Sequence, residues 1–264
     1  MRDEIDKTED FNKKLRDLEI LKEIGDPSVN VIVYETIDST NTEARRLLER
    51  GMKPPFVLVS DYQSAGRGRH GNTFFSPEKG LYYTLVISPK DMSAAIARTT
   101  IAAAVALQEA ILETAGIECG IKWVNDLYLN GKKVAGILCE APHQKSGPER
   151  IIIGIGVNIA QKEFPAELEG KAGSLNCPDL DRNRLAGSLT KRLLLYCENL
   201  RDPHLLEAYR SHSFLLGRQV SFLYNGKPVS GRAVSINEDG NLLVEGEDQT
   251  YVLSSGEVSL SLWK

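Results

Sequence analysis

Gly66-Arg67-Gly68-Arg69-His70-Gly71-Asn72-Thr73-Phe74-Phe75-Ser76-Pro77 is the stretch on which the fold class turns. Its first six residues satisfy G-x-G-x-x-G letter for letter. A dinucleotide-binding Rossmann unit, however, needs that pattern to open a helix directly after a strand. The residues from Asn72 to Pro77 cannot start a helix on that turn, and two arginines and a histidine would crowd a pyrophosphate seated on a helix N-terminus. No G-x-x-x-x-G-K-[ST] occurs in the chain, so a P-loop is excluded as well. Segment 63–79 reads instead as a Gly-hinged cationic loop. Guanidinium forks bind carboxylate and phosphate oxygens bidentately, and glycines let a loop fold over a ligand after it enters. A solvated basic surface loop is the alternative that the local sequence leaves open.

The elements on either side are strands and helices in mixed order. Val29 to Thr36 and Phe56 to Ser60 are β-branched and apolar, and read as strands. Between them Thr40 and Glu43 fit a capping box for a helix that ends at Gly51. Leu81 to Ile87 is a further strand, and Ser93 caps a long helix that Gly116 ends. Residues 120–124, 126–129, 134–140 and 150–158 read as strands, with Asn130-Gly131 as a two-residue hairpin turn. If one strand ran through 122–126, Lys122, Val124 and Asp126 would share a face and Trp123 and Asn125 the other. A Lys and an Asp in so apolar a run are costly unless paired or bound to a ligand; an edge-strand Lys with its charge in water is the plainer alternative. Gly154 and Gly156, in the run that ends at Asn158, suggest a backbone that a ligand approaches closely. Segment 161–178 has no clear period and reads as a long functional loop. Helices follow at 182–200 and 203–213, the second with Asp202 as cap and Pro203 at its first position. After Gly217, five short strands punctuated by Asn225-Gly226 and Asp239-Gly240 make a small all-β module.

Composition bounds the answer further. Hydrophobic residues are 42% and charged residues 26% of the 264, the balance of a soluble globular enzyme rather than a collagen, mucin, coiled coil or disordered chain. With 32 Lys and Arg against 36 Asp and Glu, a generic polyanion binder is disfavoured, although a local basic patch is not. Cys119, Cys139, Cys177 and Cys197 form no C-x-x-C pair and read as thiols in a reducing cytosol. The N-terminus is too charged for a signal peptide, and no apolar run approaches the ~20 residues that span a bilayer. A cytoplasmic protein is expected, with no membrane partner. The expected division is a charged helical arm at 1–28, with Phe11, Leu15, Leu18 and Leu21 at weak helical spacing, an α+β domain at 29–214, and the β-module at 215–264.

Five pieces of sequence then agree. They are Asp38-Ser39-Thr40-Asn41, the run from Gln63 to Gly71, Lys122-Trp123-Val124-Asn125-Asp126, the run from Lys133 to Glu140, and Gly154-Ile155-Gly156-Val157-Asn158. In this order, over residues 31–176, the chain resembles the biotin–protein ligases, which attach biotin to biotin-dependent carboxylases. The resemblance implies an α+β catalytic domain of the biotin/lipoate ligase type, with a mixed sheet and helices on one side, and a small SH3-like β-barrel after it. It implies biotin and ATP as substrates, Mg²⁺ on the phosphates and no protein-held metal. The acceptor would be a biotin carboxyl carrier protein or domain, and a homodimer is compatible with the family. Ser39, Thr40, Asn41 and Gln63 would meet biotin or its surroundings. Gly66, Arg67, Gly68 and Arg69 would form the loop over biotin and the adenylate phosphate. Lys122 would hold first the carboxylate and then the phosphate, and Gly136, Gly154 and Gly156 would admit the ligands closely. Asn158 and loop 161–176 would border the nucleotide. Arg67, Arg69, Lys122 and Asp126 form the expected catalytic set, with Asp126 orienting the attacking amine. Two departures stand out: Val124 replaces the family's usual Pro, and loop 161–176 carries Phe164 but no Trp.

Other functions fit less well. A lipoate or octanoate ligase or transferase of the same fold is disfavoured by the G-R-G-R loop and the K-W-x-N-D segment. A biotin-responsive DNA-binding repressor would need an N-terminal winged helix-turn-helix. Only about 30 residues precede the first strand, and they carry six Lys and Arg against nine Asp and Glu, the wrong sign for tracking phosphates. No nucleic-acid partner is therefore expected. The intact set of Arg67, Arg69, Lys122 and Asp126 argues against a catalytically dead binding module.

Overall fold

The computed structural model describes residues 14–89, 95–142, 150–256 and 258–260. Its centre is a seven-stranded sheet built from β1 (Asn30–Ile37), β2 (Phe56–Gln63), β3 (Gly80–Ile87), β4 (Gly120–Lys122), β5 (Asp126–Leu129), β6 (Lys132–Glu140) and β7 (Ile151–Asn158), in the order β1-β2-β3-β7-β6-β5-β4. Only β1 and β2 run parallel; every other neighbouring pair is antiparallel. The sheet is therefore mixed, as expected. Asn130 and Gly131 both have positive φ, which a two-residue hairpin of this type requires.

Period two sorts each central strand onto two faces. Val57, Val59, Leu81, Tyr83, Leu85, Ile151, Ile153, Ile155 and Val157 belong to one continuous core. That core is covered by α1 (Asp17–Ile24), α3 (Ala95–Ala115), α4 (Arg182–Glu198) and α5 (Pro203–His212). Helix α3 is buried almost all round from Ile101 to Leu107, as an Ala-rich helix in the middle of a core must be. Ser93, its expected cap, lies outside the described residues. No helix among the described residues is long and apolar enough to cross a membrane.

On the opposite face, α2 (Thr40–Glu49) covers β2, β3 and the Ile152 end of β7. A second small cluster forms there from Ala44, Phe56, Leu58, Val86 and Ile152. The helices therefore do not all lie on one side. β6 and the Gly154–Asn158 end of β7 are left on this face for the residues of the site.

The N-terminal helix departs from its sequence reading. Leu18, at the weak helical spacing, is 74% exposed, whereas Ile20 and Ile24 are buried. Gly187 of α4 has no room for a Cβ, because Glu23 occupies it, and this lets α1 lie directly on α4. Asn183 ties the entry by accepting from Arg16 N and donating to Lys14 O. Residues 1–13 lie outside the described set. The second sheet contains β8 (Gln219–Tyr224), β9 (Lys227–Ile236), β10 (Leu242–Glu245), β11 (Thr250–Leu253) and β12 (Val258–Leu260), in the order β11-β10-β9-β8-β12. All of its pairs are antiparallel, consistent with an SH3-like module. It is tied to the first domain by Trp123 Nε1, which donates to Gly240 O at 2.9 Å.

Candidate active site

A cavity of about 280 Å³ opens on the bare face of the large sheet, lined among others by Ser39, Thr40, Asn41, Gln63, Arg67, Gly68, Arg69, Lys122, Asp126, Gly136, Gly154 and Gly156. Of the residues expected from sequence, Gly66 and Asn158 do not line it. Gly66 sits under the cationic loop, where a Cβ would meet Phe74 O and Ser76 Oγ at 2.4 Å. Asn158 is 5% exposed and donates to Gly173 O, while its own carbonyl accepts from Leu175 N. It fastens the 161–178 loop from below rather than facing the cleft. Phe164 of that loop pairs with Phe75, their centroids 6.0 Å apart.

The floor is polar because α2 begins there. Its N-cap is Ser39, whose side chain accepts from Thr42 N; the capping box expected at Thr40 and Glu43 does not form. Thr40 is used differently: its N and Oγ1 both donate to Gln63 Oε1, and its Oγ1 lies 2.8 Å from Thr84 Oγ1. Glu43 turns to Arg46 instead. Asn41 accepts from Thr84 Oγ1 at 2.7 Å and donates to Glu140 Oε2 at 2.9 Å. The glycines of β6 and β7 make room for protein groups. A Cβ on Gly154 would meet Asn41 Oδ1 at 2.1 Å, and one on Gly156 would meet the Phe74 ring at 2.4 Å.

One wall is the turn between β4 and β5. No strand runs through 122–126; Lys122 and Asp126 face each other across the ladder of a tight hairpin. The Trp123–Val124 peptide is cis. The turn is held from three sides: Tyr209 Oη donates to Val124 O, Trp123 reaches Gly240, and Asn125 Nδ2 donates to Ile137 O. Burial raises the Tyr209 phenol well above its ordinary range, so it stays a donor at any physiological pH. Lys122 Nζ stands 5.3 Å over the Tyr128 ring, within cation–π reach. Asp126 is paired with Lys133 Nζ at 2.7 Å.

The roof is the cationic loop, a short hairpin closed by Gly68 N donating to Asn72 O and Phe74 N donating to Gly66 O. Arg69 Nη1 donates to Asn125 Oδ1 at 3.0 Å on the hairpin wall. Arg67 reaches Glu140 on the other side, at 3.1 and 3.2 Å. Val258 and Ser259 of the second sheet complete the rim. Four cations therefore ring one cleft: Arg67, Arg69, Lys122 and Lys133. Lys133, Asn125, Tyr128, Phe74 and Glu140 were not singled out as site residues from sequence. A signal existed for Glu140, because Gly136, Leu138 and Glu140 alternate onto the site face of β6.

A cleft that gathers ammonium and guanidinium groups over one bare sheet face suits a ligase acting on small anions. Residues 33–158 match the Biotin/lipoate A/B protein ligase family, and residues 215–261 match the Biotin protein ligase C terminal domain. The Bifunctional ligase/repressor BirA of Bacillus subtilis is 30% identical over 88% of this chain and 74% of its own. The biotin–[acetyl-CoA-carboxylase] ligase of Paracoccus denitrificans is 30% identical over 84% of this chain and 96% of its own. The solved biotin protein ligase from Aquifex aeolicus, in complex with biotin and ATP, superposes with a TM-score of 0.73 at 30% identity, over 88% of this chain and 98% of its own. The chain belongs to the biotin protein ligase family, and its activity is that of a ligase of this kind.

Proposed function

We propose that the enzyme activates biotin with ATP as biotinyl-5′-AMP and then passes the biotinyl group to the ε-amine of one lysine on a biotin carboxyl carrier domain. The observation that carries this reading is the convergence of Arg67, Arg69, Lys122 and Lys133 on a single cleft with Asp126. The names of relatives, biotin–[acetyl-CoA-carboxylase] ligases, support the acceptor class. The Aquifex aeolicus complex supports the two small substrates.

In the first step the biotin carboxylate attacks the α-phosphorus of ATP and pyrophosphate leaves. Two anions must meet, and preorganised cations in a water-poor cleft lower that barrier. Lys122 holds the carboxylate and then the phosphate. Arg67 and Arg69 close over the phosphate from the roof, and Lys133 adds a further charge from β6. Ser39, Thr40, Asn41 and Gln63 meet the biotin end, beside Gly136, Gly154 and Gly156. Asn158 acts indirectly, by fastening the loop that borders the nucleotide. Mg²⁺ would neutralise charge on the triphosphate oxygens. The carboxylates nearest the cleft, Asp126 and Glu140, are already engaged by cations, and among the described residues no three metal-ligating side chains cluster.

The second step needs a neutral amine, yet a lysine of pKa ~10.4 is only about 0.04% neutral at pH 7. Asp126 orients the incoming amine and takes its proton. The phosphate of the adenylate draws Lys133 towards itself and so releases Asp126 for that task. The amine then expels AMP from the mixed anhydride. A cytoplasmic setting suits the four free thiols. The test is incubation with ATP, Mg²⁺, a carrier domain and either biotin or lipoate, read by mass spectrometry. One biotinyl group on the carrier is expected; modification by lipoate alone would overturn the reading.

A further inference from the structure

The roof hairpin is hydrogen-bonded mainly to itself. Beyond the packing of Phe74 over Gly156 and Gly136, two side-chain straps join it to the cleft walls. The Arg69 strap ends on a neutral amide, Asn125 Oδ1. The Arg67 strap ends on a carboxylate, with Nη1 on Oε2 and Nη2 on Oε1 of Glu140. Glu140 is itself anchored from the opposite side, by Arg45 Nη2 at 2.7 Å and Asn41 Nδ2 at 2.9 Å. These anchors belong to α2 and do not travel with the roof. The Glu140 side chain is 14% exposed and that of Arg67 41%, so the carboxylate is the fixed post and the guanidinium the movable hook. Without the carboxylate, the guanidiniums of Arg45 and Arg67 would face each other with like charge.

We propose that Glu140 is a positioning residue, a latch whose charge keeps the roof closed over the bound intermediate. The inference rests on the ligase reading for what is retained; the latch itself rests on the contacts of Glu140. It predicts that Glu140 governs how long the acyl-adenylate stays in the cleft rather than how fast it forms. A bidentate but partly exposed pair of this kind sets the expected effect at about three- to tenfold.

Two readouts keep the latch and the ligase reading apart. The first needs no turnover. Trypsin cleaves after arginine, so cutting at Arg69–His70 in the substrate-free enzyme measures roof opening. Glu140→Gln and Arg67→Met should each speed that cut by about three- to tenfold, and the double variant should be no faster than either single one. The second readout is biotinyl-AMP escape after addition of biotin, ATP and Mg²⁺. Glu140→Gln should raise escape by a similar factor, and by more than it slows pyrophosphate formation. Added salt should raise escape from the wild type by a larger factor than from Glu140→Gln. Arg45→Met should raise trypsin cutting and escape far less than Glu140→Gln; equal effects would mean that Glu140 merely anchors α2, and would overturn the proposal. Wild-type rates of cutting in both Glu140→Gln and Arg67→Met would also overturn it. If the wild type forms no adenylate, the ligase reading fails, and the trypsin arm still decides the latch.

Discussion

The two faces of the large sheet are made from the same strands and do opposite work. Along β7, Ile151, Ile153, Ile155 and Val157 are buried in the main core, under α3 and its neighbours. The alternate residues are Ile152, Gly154, Gly156 and Asn158. Ile152 packs under α2, the two glycines lie beneath Asn41 and Phe74, and Asn158 holds a loop. One face therefore carries apolar area worth about 25 cal/mol per Å² removed from water. The other gives up that area so that polar side chains can lie against the backbone. Stability and chemistry are separated by a single step along one strand.

Substitutions on either side of that step should separate the two properties. The largest effect is expected from Lys122→Ala, on the site face. It removes a cation from developing charge and should lower adenylate formation by about 10²–10³-fold with little change in melting temperature. Pyrophosphate release measures it, and wild-type release would remove Lys122 from the first step. Asp126→Asn should slow transfer to the carrier by more than it slows adenylation, as separated by single-turnover assays with and without carrier. Equal slowing of both steps would refute its role with the amine.

The smallest effect belongs to Asp38, at the mouth of α2. Its hydrogen bond to the Arg46 guanidinium, with N–O distances of 2.6 and 3.1 Å, holds the carboxyl below the usual carboxylate range. A group whose pKa is lower folded than unfolded stabilises above its unfolded value, near 4, and loses that contribution as pH falls through the folded value. Because the pair is more than a third exposed, Asp38→Asn should cost at most about 1 kcal/mol at pH 7. Urea titrations at neutral and strongly acidic pH should show that difference vanish in acid.

Much of this was legible from residue patterns. Strand alternation located the central strands, and Asn130-Gly131 marked its hairpin. Asp202 with Pro203 marked α5, where Asp202 accepts from His204 N. What failed did so for physical reasons. Thr40 satisfies the capping rule, but a tertiary hydrogen bond to Gln63 outbids the local one, so the cap moves to Ser39. Gly154 and Gly156 did mark close approach, yet what lies over them is Asn41 and Phe74. Nothing local announces that approach, because Asn41 and Gly154 are far apart in the chain. Ile20 and Ile24 were hidden in a run of charge, and the room for that helix to dock comes from Gly187 on the distant α4. The reach of Val258 and Ser259 to the cleft depends on how the second sheet seats against Trp123. No local pattern encodes that seating.

The separation of the two faces is tested most directly by neighbouring residues of β7. Ile155→Ala and Gly156→Val should be compared for unfolding free energy and for biotin-dependent ATP–pyrophosphate exchange per folded molecule. Ile155→Ala should cost about 2–5 kcal/mol of stability and keep near-normal exchange. Gly156→Val should push Phe74 into the cleft and abolish most exchange, at a stability cost of only about 1–3 kcal/mol. The opposite result, with exchange lost in Ile155→Ala and retained in Gly156→Val, would contradict the assignment of the cleft to this face.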